Sequence, residues 1–195
     1  MTAQPKKYLS LEEYFKLEET SEIKSEYYQG VAYAMAGASE NHNLIAGEVF
    51  LDLGIQLRGK SCRPYPGDFR LKIEAVNVYT YPDLSVICGE TQLADGRRDT
   101  FVNPTVLIEV LSESTEVYDR LKKFEFYRSI SSMQEYLLIA QDRPHIERYC
   151  RHGLNWLFTE YSSSEDEVTL ESIGCTLSLA SIYQRVTFAM TNDHG

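Results

Sequence analysis

Two short apolar runs, DLSVIC from residue 83 and TVLIEVLS from 105, with a further strand, EYLLIAQ, from 135, most constrain what this chain can fold into. Each has strand length, and the first two are apolar mainly on consecutive rather than alternate residues. That pattern belongs to strands covered on both faces, at the centre of a sheet. The middle run carries a carboxylate, Glu109, among Val106, Ile108 and Val110. Burying an ionised carboxylate is costly unless a cation or strong donors meet it. Glu109 is therefore the acidic residue whose position most needs a chemical explanation, the plain alternative being a strand-end residue or a salt bridge.

The segments around these runs complete a mixed pattern. Ser10 followed by Glu13 predicts a capping-box start to a helix over roughly residues 11–18. SEYYQGVAYAMAG reads as a hairpin turning at Gln29-Gly30. Ser39 opens a longer helix reaching about Gly59, with Ile45, Val49, Leu53 and Leu57 as its apolar stripe. Phe69, Leu71, Ile73 and Ala75 alternate with Arg70, Lys72 and Glu74, which predicts a half-buried strand. Helical spacing returns over 115–130, and IERYCR with NWLFTEY predicts a hairpin around His152-Gly153. A short helix is expected from Ser178 to about Val186, and the closing TNDHG reads as a frayed end. The 195 residues suit one domain of α/β (α+β) class with a sheet flanked by helices.

Charge and cysteine usage narrow the function classes. With 29 acidic and 19 basic residues the net charge is −10. This argues against a passive nucleic-acid coat, whose affinity comes from neutralising phosphates. It leaves room for an acidic site that recruits metal, with basic residues clustered locally. Arg120, Lys122, Lys123 and Arg128 form one sequence cluster; Arg58, Lys60, Arg63, Arg70 and Lys72 form another. No run approaches the about 20 apolar residues of a membrane span, and MTAQPKKYLS lacks the apolar core of a signal peptide. Cys62, Cys88, Cys150 and Cys175 lie far apart without a CxxC pair, so buried, reduced thiols in a cytoplasmic protein are expected.

Asp83 follows Pro82 at the start of one apolar run, and Glu109 sits inside the next. If those strands are neighbours, both carboxylates reach one end of the sheet, where two acids can hold a hard divalent cation. Asp119, Lys123 and Tyr127 recur at a spacing of four and share one helix face. His145, His152 and His194 have no partners at ligand spacing. Tyr27, Tyr28, Tyr33, Tyr79 and Tyr81 are candidates for base stacking, although strand propensity and packing explain them as well.

YPDLSVIC, PTVLIEVLSESTEVYDRLKKFEFY and QEYLLIAQDRP together resemble the Uma-type family of restriction-endonuclease-like proteins, within the PD-(D/E)XK nuclease superfamily. The similarity runs from about Glu26 past Tyr149. The resemblance implies a restriction-endonuclease-like core with a mixed central sheet, and Mg²⁺-dependent cleavage of DNA with Mn²⁺ as a substitute. It also implies Asp83 and Glu109 as metal-binding acids, the backbone carbonyl of Val110 as a third ligand, and a homodimer as a compatible assembly. The orthodox lysine two residues after the glutamate is replaced here by Leu111. The Uma-type pattern instead implies a relocated lysine, Lys123, with Lys122 as the alternative. Glu26 and His42 match less tightly, as an additional metal ligand and a phosphate or water contact. Asp68 is weaker still. Two other readings remain open: a nuclease fold kept as an inactive interaction or regulatory module, and a metal-dependent hydrolase of a smaller phosphorylated substrate.

Overall fold

The computed structural model describes residues 8–188 except Asp95 and Ser114. The expectations for TNDHG and for the first seven residues lie outside that range. α1 (Leu11–Thr20) starts with the capping box expected of Ser10 and Glu13, each side chain satisfying the other's backbone N–H. β1 (Ser25–Tyr28) and β2 (Val31–Ala34) form the first hairpin. Gln29 and Gly30 both have positive φ, as a two-residue turn of matching twist requires. A Cβ at Gly30 would also strike the ring of Tyr8.

α2 (Glu40–Gln56) is capped by Ser39, whose Oγ accepts from the N–H of His42. Then come β3 (Cys62–Pro66), β4 (Arg70–Ile73), β5 (Val78–Thr80), β6 (Leu84–Cys88), β7 (Thr100–Phe101) and β8 (Val106–Leu111). α3 occupies residues 116–127 and is α-helical at both ends, with a π-helical turn at Asp119–Lys123. β9 (Glu135–Ala140), the β10 (Ile146–His152) and β11 (Asn155–Tyr161) hairpin, the β12 (Glu167–Leu170) and β13 (Cys175–Ser178) pair, and α4 (Leu179–Tyr183) complete the described chain.

The central sheet has six strands in the order β11-β10-β9-β8-β6-β3. It is mixed: β8 and β9 are parallel, and the other neighbours are antiparallel. The three runs are β6, β8 and β9, three of its four interior strands, and double-sided burial demands such a place. α3 makes the crossover that a parallel pair needs. A second sheet, β2-β1-β5-β4-β7, shares a core cluster with the first.

Side-chain alternation then sorts the core into two layers. Val106, Ile108 and Val110 pack with α2, α4 and the β12–β13 pair, while Leu107 and Leu111 pack with α3 and the second sheet. Glu109 has the parity of Leu107 and Leu111, so it faces α3. A third cluster, Tyr14, Tyr27 and Tyr79, joins α1 to the second sheet.

Several expectations fail here. Cys62 and Cys88 stand opposite each other on β3 and β6 and are joined by a disulfide, so only Cys150 and Cys175 are free thiols. Strand pairing, invisible in the spacing of these cysteines, brings them together. The strand expected through Ala75 stops at Ile73, where a 3₁₀ turn leads to Asn77 in the left-handed region. Arg70 on that strand is buried rather than solvated. It is held by Asp99 at 2.6 Å and by the rings of Tyr14, Phe15 and Tyr81. Tyr27, Tyr79 and Tyr81, by contrast, are core residues, as the packing explanation of these tyrosines expects. Among the described residues, no helix is long and apolar enough to cross a membrane.

Candidate active site

Asp83 stands just before β6 and Glu109 is the fourth residue of β8. Antiparallel pairing of Leu84 with Ile108 brings the two acids to the same end of the sheet. The Asp83 N–H points at Oε2 of Glu109 from 3.3 Å, and Oδ2 of Asp83 accepts from the N–H of Val110 at 2.8 Å. His42 reaches the same Asp83 oxygen through Nε2 at 3.0 Å, delivered by the capped first turn of α2. Oδ1 of Asp83 has no hydrogen-bond partner among the described residues.

Glu109 is only 2% exposed. Its Oε1 accepts from Lys123 Nζ at 3.1 Å and from the Tyr127 hydroxyl at 2.7 Å, both on α3. Lys123 also lies 3.0 Å from Asp119 and 3.4 Å from Glu26, and Glu26 accepts a short hydrogen bond from Thr80. The face shared by Asp119, Lys123 and Tyr127 thus meets the strand carboxylates. It does so through a π turn, a local widening often found at functional sites.

Burial pushes the Glu109 carboxyl up to about 8, opposed by Lys123 and reinforced by Asp83. Burial raises Asp119 as well, again against the pull of Lys123. For Lys123 burial works downward, but Glu109, Glu26 and Asp119 together hold it well above the usual range. The ammonium stays charged and is outnumbered by carboxylates, four to one.

These groups lie at a cavity of about 750 Å³ whose lining includes Glu26, His42, Asp83, Glu109, Val110 and Lys123. The donor set suits a hard divalent cation. It has oxygen ligands only, more carboxyl groups than cations, an unpartnered Asp83 oxygen, and a Glu109 oxygen with one long contact. Asp83, Glu109 and the backbone of Val110 are the groups that would hold it, with Glu26 and Asp119 around Lys123.

Other candidates separate from this group. Asp68 is exposed and paired with Lys24, and Lys122, at the cavity lining, pairs with Glu125 at 2.9 Å. The two basic sequence clusters disperse: Arg120 binds Glu116 and Glu147, Lys60 binds the Gly174 carbonyl, and Arg70 is internal. His145, which has no partner in the sequence spacing, gains two by strand pairing. Its ligand atoms and those of Glu147 and Glu160 all lie within 4.8 Å of one another. Arg120 already neutralises Glu147 there, which fits an ion-pair cluster. Asp119 and Tyr127 complete the site beyond its predicted members; their spacing of four around Lys123 was the available signal.

Comparisons with known proteins agree with this architecture. A crystal structure titled as a putative nuclease belonging to DUF820, from Anabaena variabilis ATCC 29413, superposes with a TM-score of 0.75. The match covers 92% of this chain and 99% of that one at 19% identity, which shows a shared fold. Two uncharacterized proteins of Synechocystis sp. are similar in sequence. Slr1290 is 36% identical, covering 92% of this chain and 94% of its own. Sll1609 is 37% identical over 83% and 92%. The sequence profile of Uma2, described as "Putative restriction endonuclease", matches residues 11–180, and the chain belongs to that family.

Proposed function

We propose that this chain is a Mg²⁺-dependent endonuclease hydrolysing phosphodiester bonds of DNA, with Mn²⁺ as a competent substitute. The observation that carries the reading is the buried carboxylate Glu109, sharing one ammonium with Asp119 and Glu26 beside Asp83, at an open cavity. A purely structural ion pair needs neither the surplus acids nor the cavity.

In this reading Asp83, Glu109 and the carbonyl of Val110 hold the cation. Once bound, it supplies Lewis-acid stabilisation of the phosphoryl oxygens. Lys123, fixed by its carboxylates, orients the attacking water or stabilises negative charge developing on the phosphate. His42 and the Val110 N–H fix Asp83 through one oxygen, leaving the other for the metal. Tyr127 does the same for Glu109.

All these side chains come from one chain, so residues 1–195 are read as a single domain with a complete site. A homodimer would set two such sites against two strands, which sedimentation velocity would reveal. The cytoplasmic expectation stands beside a disulfide, uncommon in that compartment. Thiol titration of protein kept under reducing conditions tests whether Cys62 and Cys88 pair there.

The second reading, a nuclease fold retained as an inactive interaction or regulatory module, draws on the net charge of −10. Supercoiled plasmid incubated with Mg²⁺ decides between them. Cleavage should disappear with EDTA and in Asp83→Ala while that variant stays folded. Intact plasmid together with no calorimetric binding of Mg²⁺ or Mn²⁺ would favour the inactive module.

A further inference from the structure

The lining of the site cavity is divided by chemistry. One part is aromatic: Tyr28 and Tyr33 from the first hairpin, and Tyr118 from α3. Another is the segment 34–38, Ala-Met-Ala-Gly-Ala, five uncharged residues in succession. Tyr33 is 43% exposed, and Lys122 Nζ lies 5.8 Å from the centre of the Tyr28 ring. These are surfaces for flat, neutral groups. The volume is on the scale of clefts that enclose a drug-sized ligand, about 300–1,000 Å³.

Charge around the cavity disfavours a conventional duplex track. Lys123 is already shared by Glu26, Glu109 and Asp119. The adjoining hollow, which shares Ser39, Ser112 and Gln141 with the first, is lined by Glu40, Glu113, Glu116 and Asp142. Its one basic residue, Arg143, is paired with Asp142 at 3.0 Å. A duplex is typically held through roughly six to ten phosphates, each met by a cation. Laid across this site, it would run its backbone along an acidic ledge. A single strand can bind with fewer phosphate contacts, because each base stacked on an aromatic ring adds about 1–3 kcal/mol.

We infer that the site takes an unpaired nucleic-acid strand, its bases stacked among Tyr28, Tyr33 and Tyr118 and its reacting phosphate directed to Lys123. The inference rests on the phosphodiesterase reading and names its substrate class. Lys122, whose side chain is 39% exposed beside Tyr28, meets the phosphate next to the stacked base.

The test is fluorescence anisotropy with the full chain in EDTA, repeated with Ca²⁺. The probes are a short oligothymidine, an oligouridine and a DNA duplex of equal length, each across a salt series. Either single strand should bind at least about ten-fold tighter than the duplex. The slope of log K against log salt should lie near −1, the value for about one or two phosphates at −0.7 each. Tyr33→Ala should weaken single-strand binding about ten-fold, and Tyr33→Phe, which keeps the ring, should restore it. Preference for either sugar among single strands supports the inference equally. Equal or tighter duplex binding, a slope steeper than about −4, indifference to Tyr33→Ala, or no binding of any probe would overturn it. Metal-dependent hydrolysis of a small chromogenic phosphodiester, measured alongside, judges the phosphodiesterase reading separately and can succeed while this inference fails.

Discussion

Two carboxylates are buried on neighbouring central strands, and they are handled in opposite ways. Glu135 on β9 is fully buried and meets one cation, Arg148 on β10, at 2.6 Å through Oε2. Its Oε1 accepts from both the N–H and the hydroxyl of Ser172. Charge is balanced and both oxygens are occupied, and neither cavity counts these residues among its lining. Glu109 on β8 is almost as buried, yet its lysine is shared with two further acids, a fourth stands next to it, and the cluster opens on a cavity. Burial alone therefore does not mark a functional acid. In the proposed reading, charge imbalance together with access does.

That contrast can be broken most severely by removing each acid. Glu109→Ala should reduce Mg²⁺-dependent plasmid cleavage by about a thousand-fold or more while circular dichroism reports a folded chain. Glu135→Ala, which strands a buried guanidinium, should cost about 3–5 kcal/mol of stability in chemical denaturation. The folded fraction should cleave normally. If Glu135→Ala abolished the chemistry of well-folded protein, the distinction would be lost.

Metal binding gives the next largest contrast. At saturating Mg²⁺ or Mn²⁺, about a hundred times the dissociation constant, the wild-type chain should gain about 2.7 kcal/mol of stability. Differential scanning calorimetry should show the gain persisting in Glu135→Gln and vanishing in Glu109→Gln. Survival of the full gain in Glu109→Gln would move the metal elsewhere.

The pH dependence follows from the raised Glu109 carboxyl. In the metal-free protein it holds a proton up to about 8, whereas the unfolded chain releases it near 4.5. Between those values the native state binds more protons, so this residue makes stability fall as pH rises, with no further change above about 8. Glu109→Gln should remove that slope from a series of denaturation curves. The metal must displace the same proton, so calorimetric affinity should strengthen about ten-fold per pH unit up to about 8 and then level off. A pH-independent affinity would contradict the assignment.

The smallest effect separates two adjacent lysines. Lys122→Ala should alter cleavage only a few-fold, since its ammonium is paired with Glu125 and, in the proposed reading, meets only a neighbouring phosphate. Lys123→Ala should cost about a hundred-fold or more. Reversed magnitudes in single-turnover kinetics would assign the catalytic ammonium to Lys122.

Much of this was legible in the sequence because local rules act on it directly. The capping box at Ser10, the Gln29-Gly30 turn, the stripe from Ile45 to Leu57 and the three apolar strands each depend on nearby residues. Asp83, Glu109 and Lys123 could be proposed because acids at apolar strands are a sequence pattern and because the Uma-type resemblance implies Lys123 on the following helix. What stayed hidden depends on pairing between distant segments. The Cys62–Cys88 bond, the His145 cluster, the β12–β13 pair and β3 all follow from strand register, which residue types alone do not specify. Arg70 looked like the solvated face of a strand because nothing nearby announces the aromatic cage formed by α1 and Tyr81.

The most direct test is anomalous scattering from crystals grown with Mn²⁺. The account predicts a peak bound by the carboxylates of Asp83 and Glu109, absent in Glu109→Gln. A peak at His145, Glu147 and Glu160 with none between Asp83 and Glu109 would contradict it.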